Sequence, residues 1–227
     1  MEFHPDELLG PLNEVEKKFA PKKVFAEGNI EILRTGFRIS LVGSRRASRE
    51  GLHNARKIAR LISERSGVVV SGLAKGIDTT AHTAAIDNGG KTIAVIGTPL
   101  DKVYPKENAG LQSLIMRDHL CISQFPSGYP TQPKNFPIRN RTMALFSDAT
   151  VIIEASETSG SISQGWEALR LGRGLFISQW LVEKRSLNWP EQMIAYGAQV
   201  LSEESIEDFF DTMPERCTTL ELDAITL

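Results

Sequence analysis

The sequence predicts an α/β protein built on a doubly wound, mostly parallel sheet with helices on both faces. Three observations carry this reading. Strand-like and helical stretches alternate at spacings that demand crossover connections, which parallel neighbours need. The run Val68-Val69-Val70 breaks at Ser71-Gly72, crosses a loop holding Lys75 and Gly76, and resumes at Asp78 with small residues suited to a helix. Several of the loops that follow such runs carry Ser, Arg and Gly, as expected at the sheet edge where doubly wound proteins bind ligands.

Taken in order, residues 1 to 35 are polar, with Pro5, Pro11 and Pro21 and a short helical pattern from Leu12 to Phe19. They read as a lead-in packed on a main domain of residues 36–211, which an acidic tail (212–227) follows. The first strand is Phe37 to Val42. Leu52, Ala55, Ile58, Ala59 and Ile62, three or four apart, give the next helix one apolar face. The second strand and its helix run from Val68 to Asn88 and close at Gly89-Gly90. Lys91 to Gly97 is the third strand, Asn108 to Asp118 its helix and Leu120 to Phe125 the fourth strand. Residues 126 to 137, rich in Pro, Gly, Ser and Gln, form a long loop of the kind that carries function. A helix over Ile138 to Phe146 leads to the fifth strand, Ala149 to Ala155; a helix from the Ser156 to Gly160 loop to Leu171 leads to the sixth, Gly174 to Ser178. Residues 180 to 197 are aromatic and mixed, Gln199 to Leu201 is an edge strand and Ser205 to Asp211 a closing helix. Together these make a Rossmann-like domain.

With 227 residues, 41% of them hydrophobic, the chain can bury one large core. Its net charge of −2 does not by itself indicate a nucleic-acid partner, but the charge is unevenly spread. Between Arg34 and Ile62, eight bases face the lone acid Glu50, whereas acids dominate from Glu203 onward. Cys121 and Cys217 lie far apart without metal-ligand spacing, which fits a reduced, cytoplasmic protein with no metal site and no resident cofactor. No leader pattern and no apolar run near 18 residues is present, which argues against export and against a membrane partner.

Four loops leave the carboxyl ends of strands: Gly43-Ser44-Arg45-Arg46, Ser71 to Asp78, Asn135 to Arg141, and Glu154 to Ser161. If they converge, Arg45 or Arg46, Lys75, Arg139 and Arg141 form a cationic rim around amide-rich turns. Gly72 and Gly76 then allow close backbone approach, and Ser159-Gly160-Ser161 offers hydroxyl and amide donors at a helix start. Each feature has a plainer reading. The glycines can be turn glycines, Asp78 a helix cap, and His82 a core histidine rather than a catalytic one. Cations at a helix start conflict with its dipole, so Arg139 and Arg141 near Ile138 suggest an anion that shares that end. Glu154 reads as an ion-pair partner for one of those arginines. The bases from Arg45 to Arg60 are either a solvated face or a phosphate-binding one. Phe176-Ile177 and Trp180-Leu181-Val182 suit core packing or an interface.

The sequence resembles the DNA-processing protein A family, also called Smf, over about residues 27 to 180. The resemblance rests on Gly43-Ser44-Arg45, Ser71 to Asp78 with His82, Asp101 to Asn108, Phe136 to Arg141 with Asn140, and Glu154-Ala155 followed by Ser159-Gly160-Ser161. It implies an extended Rossmann domain that binds single-stranded DNA without sequence preference, dimerises, and helps load a recombinase during natural transformation. It also implies kinship with nucleotide sensors and phosphoribohydrolases. No sterile-alpha-motif-like domain fits the first 35 residues, and the tail is too short and acidic for a winged helix. Ile162 to Glu167 and Ser178-Gln179-Trp180 depart from the family pattern, which touches recombinase loading and dimer geometry. Two other functions remain: a site for a soluble nucleotide, and cleavage of a nucleotide N-glycosidic bond with Glu154 or Glu167 as acid. The second lacks the Pro-Gly-Gly loop of such enzymes. Phe125, Tyr129 and Phe136 are available for stacking on bases.

Overall fold

The computed structural model describes residues 1–184 and 186–214, so Cys217 and most of the acidic stretch expected from residue 212 lie outside the described residues. The chain enters through β1 (Glu2–Phe3), α1 (Pro5–Leu9), α2 (Glu14–Phe19) and β2 (Val24–Gly28). The alternating part follows: β3 (Arg38–Gly43), α3 (Arg49–Glu64), β4 (Val68–Ser71), α4 (Ile77–Asp87), β5 (Lys91–Ile96), α5 (Ala109–Asp118) and β6 (Leu120–Ser123). Then come α6 (Asn135–Leu145), β7 (Ala149–Glu154), α7 (Gly160–Arg170) and β8 (Gly174–Ser178). The chain continues through α8 (Gln179–Val182), α9 (Trp189–Ala195), β9 (Gln199–Leu201) and α10 (Ile206–Asp211).

The nine strands of the described residues form one sheet in the order β1-β2-β6-β5-β4-β3-β7-β8-β9, parallel from β6 to β9. Winding runs outward from β3 to β6, then returns to β7 beside β3 and continues to β9. The direction reverses between β3 and β7, and a crevice opens there. Both faces are covered. Val68 and Val70 pack in one apolar cluster with Met143, Phe146, Trp189 and Met193, while Val69 between them packs with Ile58, Ile62 and Phe209 on the other face. That is why the strand is apolar throughout rather than alternating.

Three stretches differ from the sequence reading. Residues 1–35 supply two strands: β2 pairs antiparallel with β6 from Phe25 opposite Ser123 to Gly28 opposite Leu120, and β1 pairs with β2. The five-residue β2 is too short to show a period. The helix expected from Ile138 begins three residues earlier, at Asn135. Pro137 is compatible because it sits in the first turn, where its missing N–H has no intrahelical acceptor to lose. The mixed stretch 180 to 197 holds α8 and α9, with Trp189 and Met193 buried. Phe176, Ile177 and Leu181 are core residues.

Candidate nucleic-acid interface

All four loops singled out in the sequence meet at the crevice between β3 and β7, the second of them through Ala74 and Asp78. The cleft there has a volume of about 560 Å³. The β3 loop contributes Gly43, Ser44, Arg45 and Arg46, α4 contributes Asp78, α6 contributes Phe136, Arg139 and Asn140, and Ser159, Gly160 and Ser161 come from the start of α7. Local chemistry builds each wall. At Gly43 a β-carbon would meet the Ile77 side chain and the Glu154 carbonyl, so only glycine lets β3 diverge beside β7. Ser44 Oγ accepts the Arg46 N–H at 3.1 Å, which turns the loop so that both arginines stay exposed on the rim. Asn140 Nδ2 donates to the Gly160 carbonyl at 3.0 Å and ties α6 to the start of α7. The Ser159 and Ser161 hydroxyls lie 2.6 Å apart.

Arg139 is the centre of this arrangement. It is only 6% exposed, donates from Nη1 to the Val95 carbonyl at 2.6 Å, and its Nε has no hydrogen-bond acceptor among the described residues. It forms no ion pair among the described residues. Asp78 acts on it from longer range, while burial and Arg45 oppose its charge. An arginine does not give up its proton, so a positive charge is held in a dry wall. Asp78 accepts the Gly72 and Ala74 N–H groups at 3.2 and 3.3 Å, which fixes the loop after β4. Burial pushes its carboxyl up from the usual carboxylate range, against the pull of Arg139 and those two amides. Gly72 is required by the same packing, because a β-carbon there would collide with the Arg139 guanidinium.

Other sequence candidates lie elsewhere. Lys75 faces an adjoining hollow of about 150 Å³ shared with Arg45, Gly72, Tyr104, Phe136 and Arg139, and pairs with Glu107 at 2.7 Å. Arg141, two residues past Arg139, points away from the cleft: it donates to Glu167 at 3.0 Å and lies 5.4 Å above the Phe19 ring. The dipole conflict expected for these arginines disappears, since with α6 starting at Asn135 both sit beyond its first turn. Glu154 pairs with neither. It accepts from the Ser48 N–H and hydroxyl at 3.0 and 2.8 Å and so holds the start of α3. Ser71 donates its hydroxyl to the Leu41 carbonyl at 2.7 Å inside the sheet, and Gly76 packs on the Ser44 carbonyl with φ +77°. His82 is fully buried, with Nδ1 2.6 Å from the Thr92 hydroxyl; burial, aided by His119 and Arg139, depresses it to about 3.

The family model for DNA recombination-mediator protein A matches residues 6–214. The chain belongs to that family. It is similar to DNA processing protein DprA of Streptococcus pneumoniae, 44% identical over 157 residues, which cover 69% of this chain and 55% of that relative. It is also similar to DprA of Bacillus subtilis, 33% identical over 196 residues, covering 86% and 65% of the two chains. The family member therefore spans between about half and two thirds of these relatives' lengths. The solved structure of DNA processing protein A from Streptococcus pneumoniae matches with a TM-score of 0.80 at 34% identity, over 94% of this chain and 74% of that one. A structure describing a single-stranded DNA binding mode of the Helicobacter pylori protein matches with a TM-score of 0.76 at 26% identity, over 90% and 93%. The doubly wound, mostly parallel fold and the family resemblance are as the sequence led us to expect.

Not every lining residue carried a signal in the sequence. Gln164 enters the cleft from the first turns of α7, beyond the Glu154 to Ser161 loop that the sequence singled out, and its type is common in any helix. Asn108 was seen only as part of a motif. It bonds the Leu73 carbonyl at 2.8 Å and the Thr79 hydroxyl at 2.9 Å, clamping the loop that bears Gly72. Phe136 is half-buried, 5.2 Å from the Tyr104 ring and 5.6 Å from the Arg45 guanidinium. Phe125 and Tyr129 instead stack on each other at 5.1 Å. Both acids considered for glycosidic chemistry are engaged: Glu154 with Ser48, and Glu167 with Arg141 and Arg170.

Proposed function

We propose that the cleft holds phosphates of single-stranded DNA, and that the protein acts in the uptake and recombination of incoming DNA in the cytoplasm. One observation carries the reading: Arg139 is buried and, among the described residues, forms no ion pair, at the wall of a cleft whose rim is Arg45 and Arg46. Such a charge is stabilised by an anion that brings its own negative charge into the cleft. The helix start at Ser159–Ser161 supplies amide donors for the same ligand. Phe136, with Arg45 over its ring, offers a face for a base without reading its edge, which suits a strand of any sequence. Family membership and the single-stranded DNA described for the Helicobacter pylori protein support this reading.

The test is anisotropy titration with labelled oligo-dT, a duplex of equal length and a panel of mononucleotides. Tight oligo-dT binding that weakens steeply with salt is expected. Arg45→Ala and Arg139→Gln should each cost about 1–3 kcal/mol of binding, as expected for a lost charge-assisted contact. Affinity for oligo-dT that stays flat with salt, or variants that bind as well as the parent, would remove the basis for the proposal. A cleft of this size also suits a single nucleotide. A mononucleotide that stabilises the protein where oligonucleotides do not would select that reading.

Homodimerisation fits the far edge of the sheet. There β9 ends the ladder, and Tyr196, Val200 and Ile194 are exposed at 74%, 38% and 36%. Transfer of bound DNA to a recombinase follows from the family role rather than from a surface identified on this chain.

A further inference from the structure

We infer that a second stretch of the same DNA strand runs along a groove between α3 and α4, which opens from the rim of the cleft and lies outside it. This rests on the single-stranded DNA reading above. Arg49, His53, Arg56 and Arg60 fall four, three and four residues apart, so they form one stripe along α3. All four are exposed, and the stripe is about 16 Å long at the rise of an α-helix. His53, Arg56 and Arg60 line a groove of about 740 Å³ whose opposite wall is Thr79, Thr80 and Thr83 of α4.

The groove and the cleft are lined by neighbouring stretches of the chain. Arg45 and Arg46 on the cleft rim precede Arg49 by one short loop, and Asp78, a cleft residue, directly precedes Thr79.

The three arginines of α3 share one face. Glu50 and Asn54 turn toward Glu183 and Glu203 on the other side, and Lys57, which also borders the groove, pairs there with Glu203. Among the described residues Arg49, His53 and Arg56 form no ion pair, and Arg60 meets Glu64 only at 3.7 Å with both half-exposed. Asp87, at the far end, is the one acid among the residues lining the groove. A single small anion would need converging donors, whereas these cations repeat once per helical turn along an open trough. That spacing suits a repeating anion, the phosphates of an extended strand, with the Thr80 and Thr83 hydroxyls as further donors.

The experiment compares a short oligo-dT that fills only the cleft with one long enough to continue along the groove. The proteins are the full chain and its combined Arg49→Gln, Arg56→Gln, Arg60→Gln variant. These side chains are exposed, so an unchanged thermal unfolding midpoint is the control for folding. The parent should bind the longer oligonucleotide more tightly. The variant should lose that gain, with the slope of log affinity against log salt for the longer strand shallower by about 2. Between 50 and 200 mM salt this means that the parent loses roughly tenfold more affinity than the variant. Short-strand binding should not change, and the combined Arg→Lys variant should keep most of the gain. A length-dependent gain that survives the Gln variant, or no gain in the parent, overturns the groove and leaves the cleft standing. Failure of the parent to bind even the short strand overturns both.

Discussion

Arg139 keeps its place because of what surrounds it, and the neighbour that matters most is a glycine. Gly72 leaves the space the guanidinium fills, and its φ lies outside the left-handed region, so the requirement is for space alone. Gly72→Ala should therefore displace Arg139 and lower oligo-dT affinity as much as Arg139→Gln does, with a stability cost of about 1–3 kcal/mol from overpacking. Titration of the folded variant beside Arg139→Gln checks this. His82 makes a separate prediction. Its folded value of about 3 lies below the ordinary histidine value of 6.5, so the unfolded chain binds its proton first as pH falls. The stability it contributes is complete above pH 6.5 and is lost as pH drops from there toward 3. Urea unfolding at pH 7.5 and pH 5 should show a loss of roughly 2 kcal/mol from this group, and His82→Asn should flatten the dependence.

At the scale of elements, the arginines of α6 divide by direction. Arg139 faces the cleft, whereas Arg141 joins α6 to α7 through Glu167 and covers Phe19 of α2. Arg141→Ala should cost about 1 kcal/mol of stability, since the pair is partly exposed and Arg170 still holds Glu167, and should leave DNA affinity unchanged. Denaturation midpoints together with anisotropy separate the two effects. Glu154 holds α3 from the end of β7: its carboxylate takes two donors of Ser48, whose hydroxyl in turn accepts the Gly51 N–H at 3.0 Å. Glu154→Ala should cost on the order of 1–3 kcal/mol by leaving those donors unpaired. It should also weaken binding, because the loop with Arg45 and Arg46 hangs between Gly43 and Ser48. A variant with normal affinity would mean that the loop orders itself.

For the whole molecule, one sheet separates two surfaces. Its carboxyl edge carries the cleft at the β3–β7 reversal, and its lateral edge ends in β9. DNA binding and self-association should then be separable: Val200→Lys should halve the mass seen by light scattering if β9 joins two copies, without changing affinity for a short oligonucleotide. A monomeric parent would place any dimerisation elsewhere.

The sequence by itself determined the parallel core and the alternation of its strands and helices along the chain, because strands buried on both faces must be apolar along their length and crossovers must be long. It also pointed to one edge for the loops Gly43 to Arg46, Ser71 to Asp78, Asn135 to Arg141 and Glu154 to Ser161, since each reads as leaving the carboxyl end of a strand. Direction and partnership were left to the tertiary structure. Arg139 and Arg141 look equivalent in the chain, yet two residues along a helix turn a side chain about half a revolution, so one lines the cleft and the other staples helices. Glu154 reaches Ser48 and Lys75 reaches Glu107 only once distant segments have been brought together. The short β2 strand exists only because β6 offers it a ladder. Periodicity and turn chemistry are local and can be read along the chain. Which charge meets which, and which is left for a ligand, is set by contacts between residues far apart in sequence.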